Sequence, residues 1–234
     1  MFVFFWRKRS LFLGATVLLL LVIFIFTATS ATEQVFQRKK PIYQGNPAKK
    51  QVSITVNVDW GEEHLPAMLD ILKENRVKAA FFITGRWAKE NPKLIQKIAN
   101  LGHEIGNHGF SHPHVNELAL DENMEEIQKT SDMIHQAAQK KTRYFAPPYG
   151  EFNDTVLDAA FKTGHQVILW TVDTVDWQKP PPAEITSRVL DGIQNGGIIL
   201  MHPTEQTNKA LPEMIKGLQE QGYQVVPLEK LIAG

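Results

Sequence analysis

The sequence predicts an α/β fold, a parallel sheet curled into a (β/α) barrel. Two observations predict it. Short apolar runs of strand character alternate with amphipathic stretches of helical period, an order that makes parallel strands joined by right-handed crossovers. Residue types able to carry chemistry fall at the C-terminal ends of those runs, where barrels of this kind assemble their sites. At 234 residues, 43% of them hydrophobic, the chain suffices for one domain with additions and a sizeable core.

Val52, Ile54, Val56 and Val58 alternate with Ser53, Thr55, Asn57 and Asp59, the period of a strand. Leu65 to Asn75 reads as a helix and Ala79-Ala80-Phe81-Phe82-Ile83 as a buried strand. Asn91-Pro92 offers an N-cap followed by proline at the first helical position. Leu94, Ile95, Ile98 and Leu101 then form one apolar face, and Gly102 closes that helix. Glu104 to Asn107 reads as a strand and Glu122 to Gln139 as a longer amphipathic helix. Short strands follow at Tyr144-Phe145, Gln166 to Val172 and Gly197 to Met201, with a last one at Val225-Val226. Helices are expected near 154–163, 182–195 and 211–221.

Ahead of this domain, Arg7-Lys8-Arg9 precedes an uncharged, almost wholly apolar run from Leu11 to Phe26. About 20 apolar residues span a bilayer. Residues 1–32 are therefore expected to be a membrane segment, as an uncleaved signal anchor, or else a signal peptide cleaved near Ala28, Ser30 and Ala31. Positive charge stays inside, so the globular domain is expected on the extracytoplasmic side, membrane-bound or secreted. Residues 33–50 are polar, with Arg38-Lys39-Lys40, Pro41, Pro47 and Lys49-Lys50, and read as a linker to a domain over 51–234. There is no cysteine, which excludes disulfides and thiolate metal sites. Lysine plus arginine equals aspartate plus glutamate, 25 each, so no global field favours nucleic acid.

The segment Glu104-Ile105-Gly106-Asn107-His108-Gly109-Phe110-Ser111-His112-Pro113 holds two histidines four residues apart. Such a pair shares one side of a helical turn, and neutral imidazole is a favoured zinc ligand. With its surroundings the segment resembles the second motif of the polysaccharide deacetylase (NodB-homology) family. Versions of the other four motifs occur in the family's order between about Val52 and Leu231. The resemblance implies a distorted barrel of about seven parallel strands, a divalent metal (zinc, with cobalt as the alternative) and removal of acetyl groups from N-acetylated sugars. In that family one Asp and two His hold the metal, a second Asp is the base, and a His protonates the leaving amine.

Carried over residue by residue, the resemblance makes His108 and His112 metal ligands. Asp173-Thr174-Val175-Asp176-Trp177 resembles the fourth motif. It implies that Asp176 orients the catalytic histidine and that Asp173 and Trp177 line the substrate pocket. Leu200-Met201-His202 resembles the fifth, with His202 as general acid and Leu200 as an apolar wall. In Phe145-Ala146-Pro147-Pro148-Tyr149-Gly150, Pro148 and Tyr149 would face the sugar.

Two motifs depart from the family. Its first motif is Thr-Phe-Asp-Asp-Gly; here Asn57-Val58-Asp59-Trp60-Gly61 makes Asp59 the base and puts Trp60 where the metal Asp stands. An indole cannot ligate a hard cation. Either two histidines remain, or Asp59 itself turns to the metal and a water serves as base. Strand parity places Asn57 on the same face as Asp59. In the third motif Ala146 replaces an Arg that pairs with the base. Without a nearby cation Asp59 is expected to have a raised pKa. Arg143, three residues upstream, would face away from position 146.

Gly85-Arg86-Trp87-Ala88-Lys89-Glu90-Asn91-Pro92 and Ile199-Leu200-Met201-His202-Pro203-Thr204 add a likeness to the membrane-anchored, sporulation-associated branch of the family, the YlxY-like and PdaB-like proteins. That likeness implies a bacterial cell-envelope protein acting near peptidoglycan. Two readings follow. One is a metal-dependent N-deacetylase of peptidoglycan or chitooligosaccharide. The other is a catalytically impaired relative that binds envelope glycan or a partner. Trp87 and Trp170 are expected in the core or at the rim. His64, His103, His114, His135 and His165 are expected at the surface or at helix ends.

Overall fold

The computed structural model describes residues 17–20, 22–24 and 40–233. Residues 17–20 and 22–24 are helical. The rest of the expected membrane or signal segment, and the expected linker as far as residue 39, lie outside the described residues. Among the described residues no helix is long and apolar enough to cross a membrane. Pro41–Gly234 forms one compact unit.

Its strands are β1 (Gln51–Val58), β2 (Ala80–Ile83), β3 (Glu104–Asn107), β4 (Tyr144–Phe145), β5 (Gln166–Val167), β6 (Val172–Asp173), β7 (Ile198–Met201) and β8 (Gln224–Val225). All pair in parallel, in the order β5-β4-β3-β2-β1-β7-β6, with β8 on the first two residues of β1. The single strand expected from Gln166 to Val172 is split. Its first half pairs with β4 and its second half with β7. Between them the chain turns to Ile42, which exchanges backbone hydrogen bonds with Val167 and Leu169 at 2.9 and 2.8 Å. Counted as one, β5 and β6 give seven parallel strands in an α/β half-barrel, one wall of which rests on two-residue pairings. Ile42 and Gln44, expected in the linker, make bridges to Ile168 and Gly197, so the last part of that stretch belongs to the sheet.

The helices are α1 (Leu65–Glu74), α2 (Gly85–Glu90), α3 (Pro92–Asn100), α4 (Leu120–Ala138), α5 (Asp154–Lys162), α6 (Pro182–Gly192), α7 (Glu205–Glu220) and α8 (Leu228–Ile232). Two differ instructively from expectation. α7 starts at Glu205 rather than near Leu211 because Thr204 caps it, accepting from the Thr207 N–H at 2.9 Å. α2 is too short for any periodicity and is nucleated by Thr84, whose hydroxyl accepts from the Trp87 N–H at 3.4 Å. Asn91 takes the expected N-cap position of α3 ahead of Pro92, but its side chain makes no capping bond there; its amide donates to the Trp87 carbonyl at 3.1 Å and closes α2 instead.

The alternation in β1 separates two buried faces rather than core from solvent. Val52, Ile54, Val56 and Val58 pack with Leu65, Met68, Leu211 and Met214 of the surrounding helices. Ser53, Thr55 and Asn57 are buried on the opposite face, and the Thr55 hydroxyl donates to the Ile199 carbonyl at 3.0 Å. Phe82 fills that interior with Ala80, Ile198 and Val226. Gly106 makes room for it, since a Cβ there would lie 2.4 Å from the Phe82 ring. The polar line Ser53-Thr55-Asn57 leads to Asp59 at the C-terminal mouth.

Candidate functional site

Side chains following β1, β3, β6 and β7 converge on one cavity of about 430 Å³. It is lined by Asn57, Asp59, Trp60, His108, His112, Tyr149, Trp170, Asp173, Trp177, Leu200 and His202. Of the residues expected to meet substrate, Asp173, Trp177, Leu200 and Tyr149 reach it; Pro148 is buried beside Gly109 and does not line it. Asp176 lies behind the wall, fully buried.

His108 and His112 sit on a loop after β3, not on a helical turn. Gly109 and His112 both have positive φ, 75° and 57°. Glu126 of α4 holds the loop, its carboxylate accepting from the Phe110 and Ser111 N–H groups at 2.7 and 2.8 Å and from the Ser111 hydroxyl at 2.9 Å. The two imidazoles meet edge to face with centroids 5.0 Å apart. His108 Nδ1 lies 2.6 Å from the Ala146 carbonyl. A carbonyl only accepts, so Nδ1 carries the proton and Nε2 keeps a free lone pair. Burial, with His112 beside it, pushes the His108 pKa down to about 3, so it is neutral at pH 7. The main chain of residue 146 thus orients His108 whatever side chain stands there. Burial likewise lowers His112.

Asp59 has a cation after all. Arg86, on α2, donates Nε–H to Asp59 Oδ1 at 2.7 Å and an Nη2–H to Oδ2; the Thr84 hydroxyl donates to Oδ1 at 2.8 Å. Burial works to raise the Asp59 pKa, but these hydrogen bonds and the Arg86 and His112 charges outweigh it. The net shift is downward, opposite to the rise expected from Ala146. Arg143 is elsewhere, paired with Glu229 at 3.1 Å. Sequence spacing gave no sign of Arg86, because α2 shows no pattern and 27 residues separate the partners.

Trp60 stands 42% exposed, its ring parallel to that of His202 with centroids 5.9 Å apart. Among the described residues no group of three or more His, Cys, Asp or Glu could hold a metal ion. Two imidazoles, one indole and a carboxylate whose oxygens are engaged elsewhere do not fit a three-ligand divalent site.

His202 and Asp176 form a hydrogen-bonded pair beside the cavity. His202 Nδ1 lies 2.8 Å from Asp176 Oδ1, while Asp176 Oδ2 accepts from the His202 N–H at 2.7 Å and the Thr207 hydroxyl at 2.6 Å. The carboxylate fixes Nδ1 as the protonated nitrogen and leaves Nε2 free. Asp173 caps the turn between, accepting from the Val175 N–H at 2.8 Å. Val175 and Lys179 hold left-handed φ values of 54° and 57°. For a β-branched residue such as Val175 this conformation is strained and is imposed by its surroundings; Trp177, between the two, is 52% exposed.

Thr207 and Glu126 carry roles that only tertiary structure reveals. Tyr149, 57% exposed, is wedged between His112 and His114, ring centroids 4.7 and 4.3 Å away. His114 thus joins the rim, held by Glu151 at 2.9 Å. His103 and His165, expected at the surface or at helix ends, follow the C-terminal ends of α3 and α5, their N–H groups donating to the Ile98 and Ala160 carbonyls at 3.3 and 2.7 Å, and they are buried at 5% and 6% exposure.

The sequence matches the family described as polysaccharide deacetylase over residues 44–168. The chain belongs to that family. It is 44% identical over 193 residues to "Uncharacterized protein YlxY" of Bacillus subtilis, covering 82% of this chain and 60% of that protein. It is 34% identical over 194 residues to a peptidoglycan-N-acetylglucosamine deacetylase of Bacillus cereus, covering 81% and 70%. A crystal structure described as a CE4 family pseudoenzyme from Bacillus anthracis superposes with TM-score 0.81 at 47% identity, covering 82% of this chain and 69% of that one.

Proposed function

We propose that this chain binds the N-acetylated glycan of the bacterial cell wall in a deacetylase groove whose metal centre is depleted below what turnover needs. One observation carries the reading. Both Asp59 oxygens are held by Arg86 and Thr84, and Trp60 follows where a second carboxylate would stand. That leaves His108 and His112, whereas a hydrolytic zinc site takes three protein ligands and an open position. The groove itself is suited to sugar. Asn57 lines the cavity, and its Oδ1 is a buried acceptor without a partner. Trp60, Tyr149 and Trp177 expose aromatic faces around it, and such faces suit sugar rings. The likeness to a B. cereus protein named as a peptidoglycan deacetylase, and to one described as a pseudoenzyme, supports both halves of the reading. The expected anchor over residues 1–32 would hold the domain outside the membrane, near peptidoglycan; a role in sporulation belongs to the same proposal.

The second reading is N-deacetylation itself, with zinc or cobalt as the metal, favoured by the intact Asp176–His202 pair. In it His202 would protonate the leaving amine and Asp59 would act as base or ligand. One experiment separates the two. The full chain is given zinc or cobalt with N-acetylated chitooligosaccharides and peptidoglycan fragments, and both binding and acetate release are followed. Binding without acetate is expected from the natural chain, with acetate released only after Trp60→Asp. Acetate release by the natural chain, abolished by His108→Ala, would overturn the proposal in favour of hydrolysis.

A further inference from the structure

The chain carries no net charge, 25 cations against 25 carboxylates, yet the domain sorts its charges by end. All strands run parallel, so the loops that lead into them share one end of the sheet and the loops that leave them share the other. From residue 46 to Tyr223 the entering loops hold seven lysines and arginines and no Asp or Glu. The leaving loops, around the cavity mouth, hold six Asp and Glu and one lysine, Lys179.

The entering cations lie close together. Lys49 and Lys50 precede β1, Arg76 and Lys78 precede β2, and Lys140 and Lys141 precede β4. Three strand spacings separate β1 from β4, so this rim is about 15 Å long. Two carboxylates at the same end are engaged. Glu104 accepts from the Leu228 and Glu229 N–H groups at 2.6 and 2.8 Å, and Glu229 pairs with Arg143 at 3.1 Å. Lys49, Lys50, Arg76, Lys140 and Lys141 are exposed and have no carboxylate partner among the described residues.

We infer that this rim is a docking surface for the headgroups of an anionic phospholipid bilayer, with the cavity mouth turned away from it. Each lysine or arginine near such a surface is worth about fivefold in affinity, an attraction that fades over about 10 Å in physiological salt. The carboxylates at the opposite end are repelled by the same surface, so the two ends together set the orientation. The choice of a bilayer over other polyanions rests on the expectation that the apolar run ending at Phe26 sits in a membrane. The stretch from there to Pro41 can span at most about 50 Å, which keeps the rim at high effective concentration over the headgroups.

The chain has no cysteine, so Ala48→Cys on the rim or Glu63→Cys near the mouth gives one position for a fluorophore. The labelled full chain is added to vesicles carrying a headgroup quencher, made of phosphatidylcholine alone or with about a third phosphatidylglycerol. The rim label should be quenched only with phosphatidylglycerol, and the mouth label with neither. Changing Lys49, Lys50, Lys140 and Lys141 together to Gln should lower the docked-to-free ratio about tenfold or more, and about 0.5 M salt should erase docking. The same four changed to Arg should keep it, as should Lys89→Gln with Lys93→Gln, which lie beyond the leaving end of β2. Equal quenching of both labels, rim quenching on neutral vesicles, or docking that survives the four glutamines would overturn the surface. Preference for soluble polyglycerol phosphate over the anionic vesicles would put a wall polymer on the rim and overturn it too. Flotation with phosphatidylcholine vesicles reads the anchor separately. A chain that floats only with anionic vesicles, through the four lysines, would keep the docking surface and overturn the anchor; a chain that floats with neither would overturn both.

Discussion

Arg86→Ala tests how Asp59 is kept charged. The Asp59 side chain is 11% exposed and receives hydrogen bonds from Arg86 Nε, Arg86 Nη2 and Thr84. Without the guanidinium, Thr84 alone would remain, in a place where burial already opposes the charge. Removing one member of a buried pair typically costs about 3–5 kcal/mol. An exposed pair is worth about 0–1 kcal/mol. Arg86 is 52% exposed, so water can replace part of what it gives, and the loss should fall between these limits, at about 2 kcal/mol. Urea unfolding at pH 7 of the natural chain, Arg86→Ala, Asp59→Asn and the double variant measures it. The double variant should be more stable than the sum of the single losses predicts, by about 1–2 kcal/mol. Adding Ala146→Arg to Arg86→Ala should recover part of the loss. Arg86→Ala within about 0.5 kcal/mol of the natural chain, with additive behaviour toward Asp59→Asn, would refute the reasoning.

Trp60→Asp should raise zinc affinity about tenfold or more, with or without Ala146→Arg, because Arg86 already partners Asp59; a gain that calorimetry finds only when arginine is added at 146 would contradict this. His103 and His165 are held by burial at about 4, below the ordinary 6.5. Both are neutral when folded, so the unfolded chain takes up protons first, and stability present above pH 6.5 is lost as pH falls toward 4. The two together should remove a few kcal/mol between pH 7 and 5, roughly 2 kcal/mol each at most, read as falling urea midpoints; equal midpoints at the two pH values would exclude it. Asp176→Asn should lower stability by about 1–3 kcal/mol, since Asp176 is fully buried and accepts from His202 and Thr207. It should also release the His202 tautomer, visible by nitrogen NMR; an unchanged melting temperature and an unchanged tautomer would remove Asp176 from that role.

The strands and the order of the site along the chain were legible because they are local. β1, β3 and β7 announce themselves by alternation or short apolar runs, and the loops after them bring Asp59, His108, His112 and His202 to one mouth. Less was legible wherever a residue works through a distant partner. Arg86 depends on a six-residue helix set by Thr84 and Asn91, and no periodicity marks so short an element. Ile42 was hidden in a polar, lysine-rich stretch, and its place in the sheet follows from the split at Ile168, which β-propensity does not foretell. The histidine pair suggested a helical turn; Gly109 and Glu126 make it a loop. The helix-end places of His103 and His165 were legible, but their burial was not, because burial of a polar ring follows from its partners, such as the Ala79 N–H on His103 Nδ1 at 3.2 Å.

The balance of donors and charges in the cavity argues for what it should accept. His108 Nε2, His202 Nε2 and Asn57 Oδ1 all present lone pairs. None of the three brings negative charge to offset that of a bound cation. Asp176 is sealed behind the wall, and Asp59 is already neutralised by Arg86. A neutral ligand rich in N–H and O–H groups meets no such difficulty, because each lone pair gains a hydrogen bond and no charge is left unbalanced. Freeing Asp59 by Arg86→Ala would not rebuild a metal centre, since one carboxylate would then have to serve as both ligand and base. Adding a second at position 60 leaves Asp59 paired and supplies the missing charge, so Trp60→Asp, not Arg86→Ala, is the change that should turn the groove toward a metal ion.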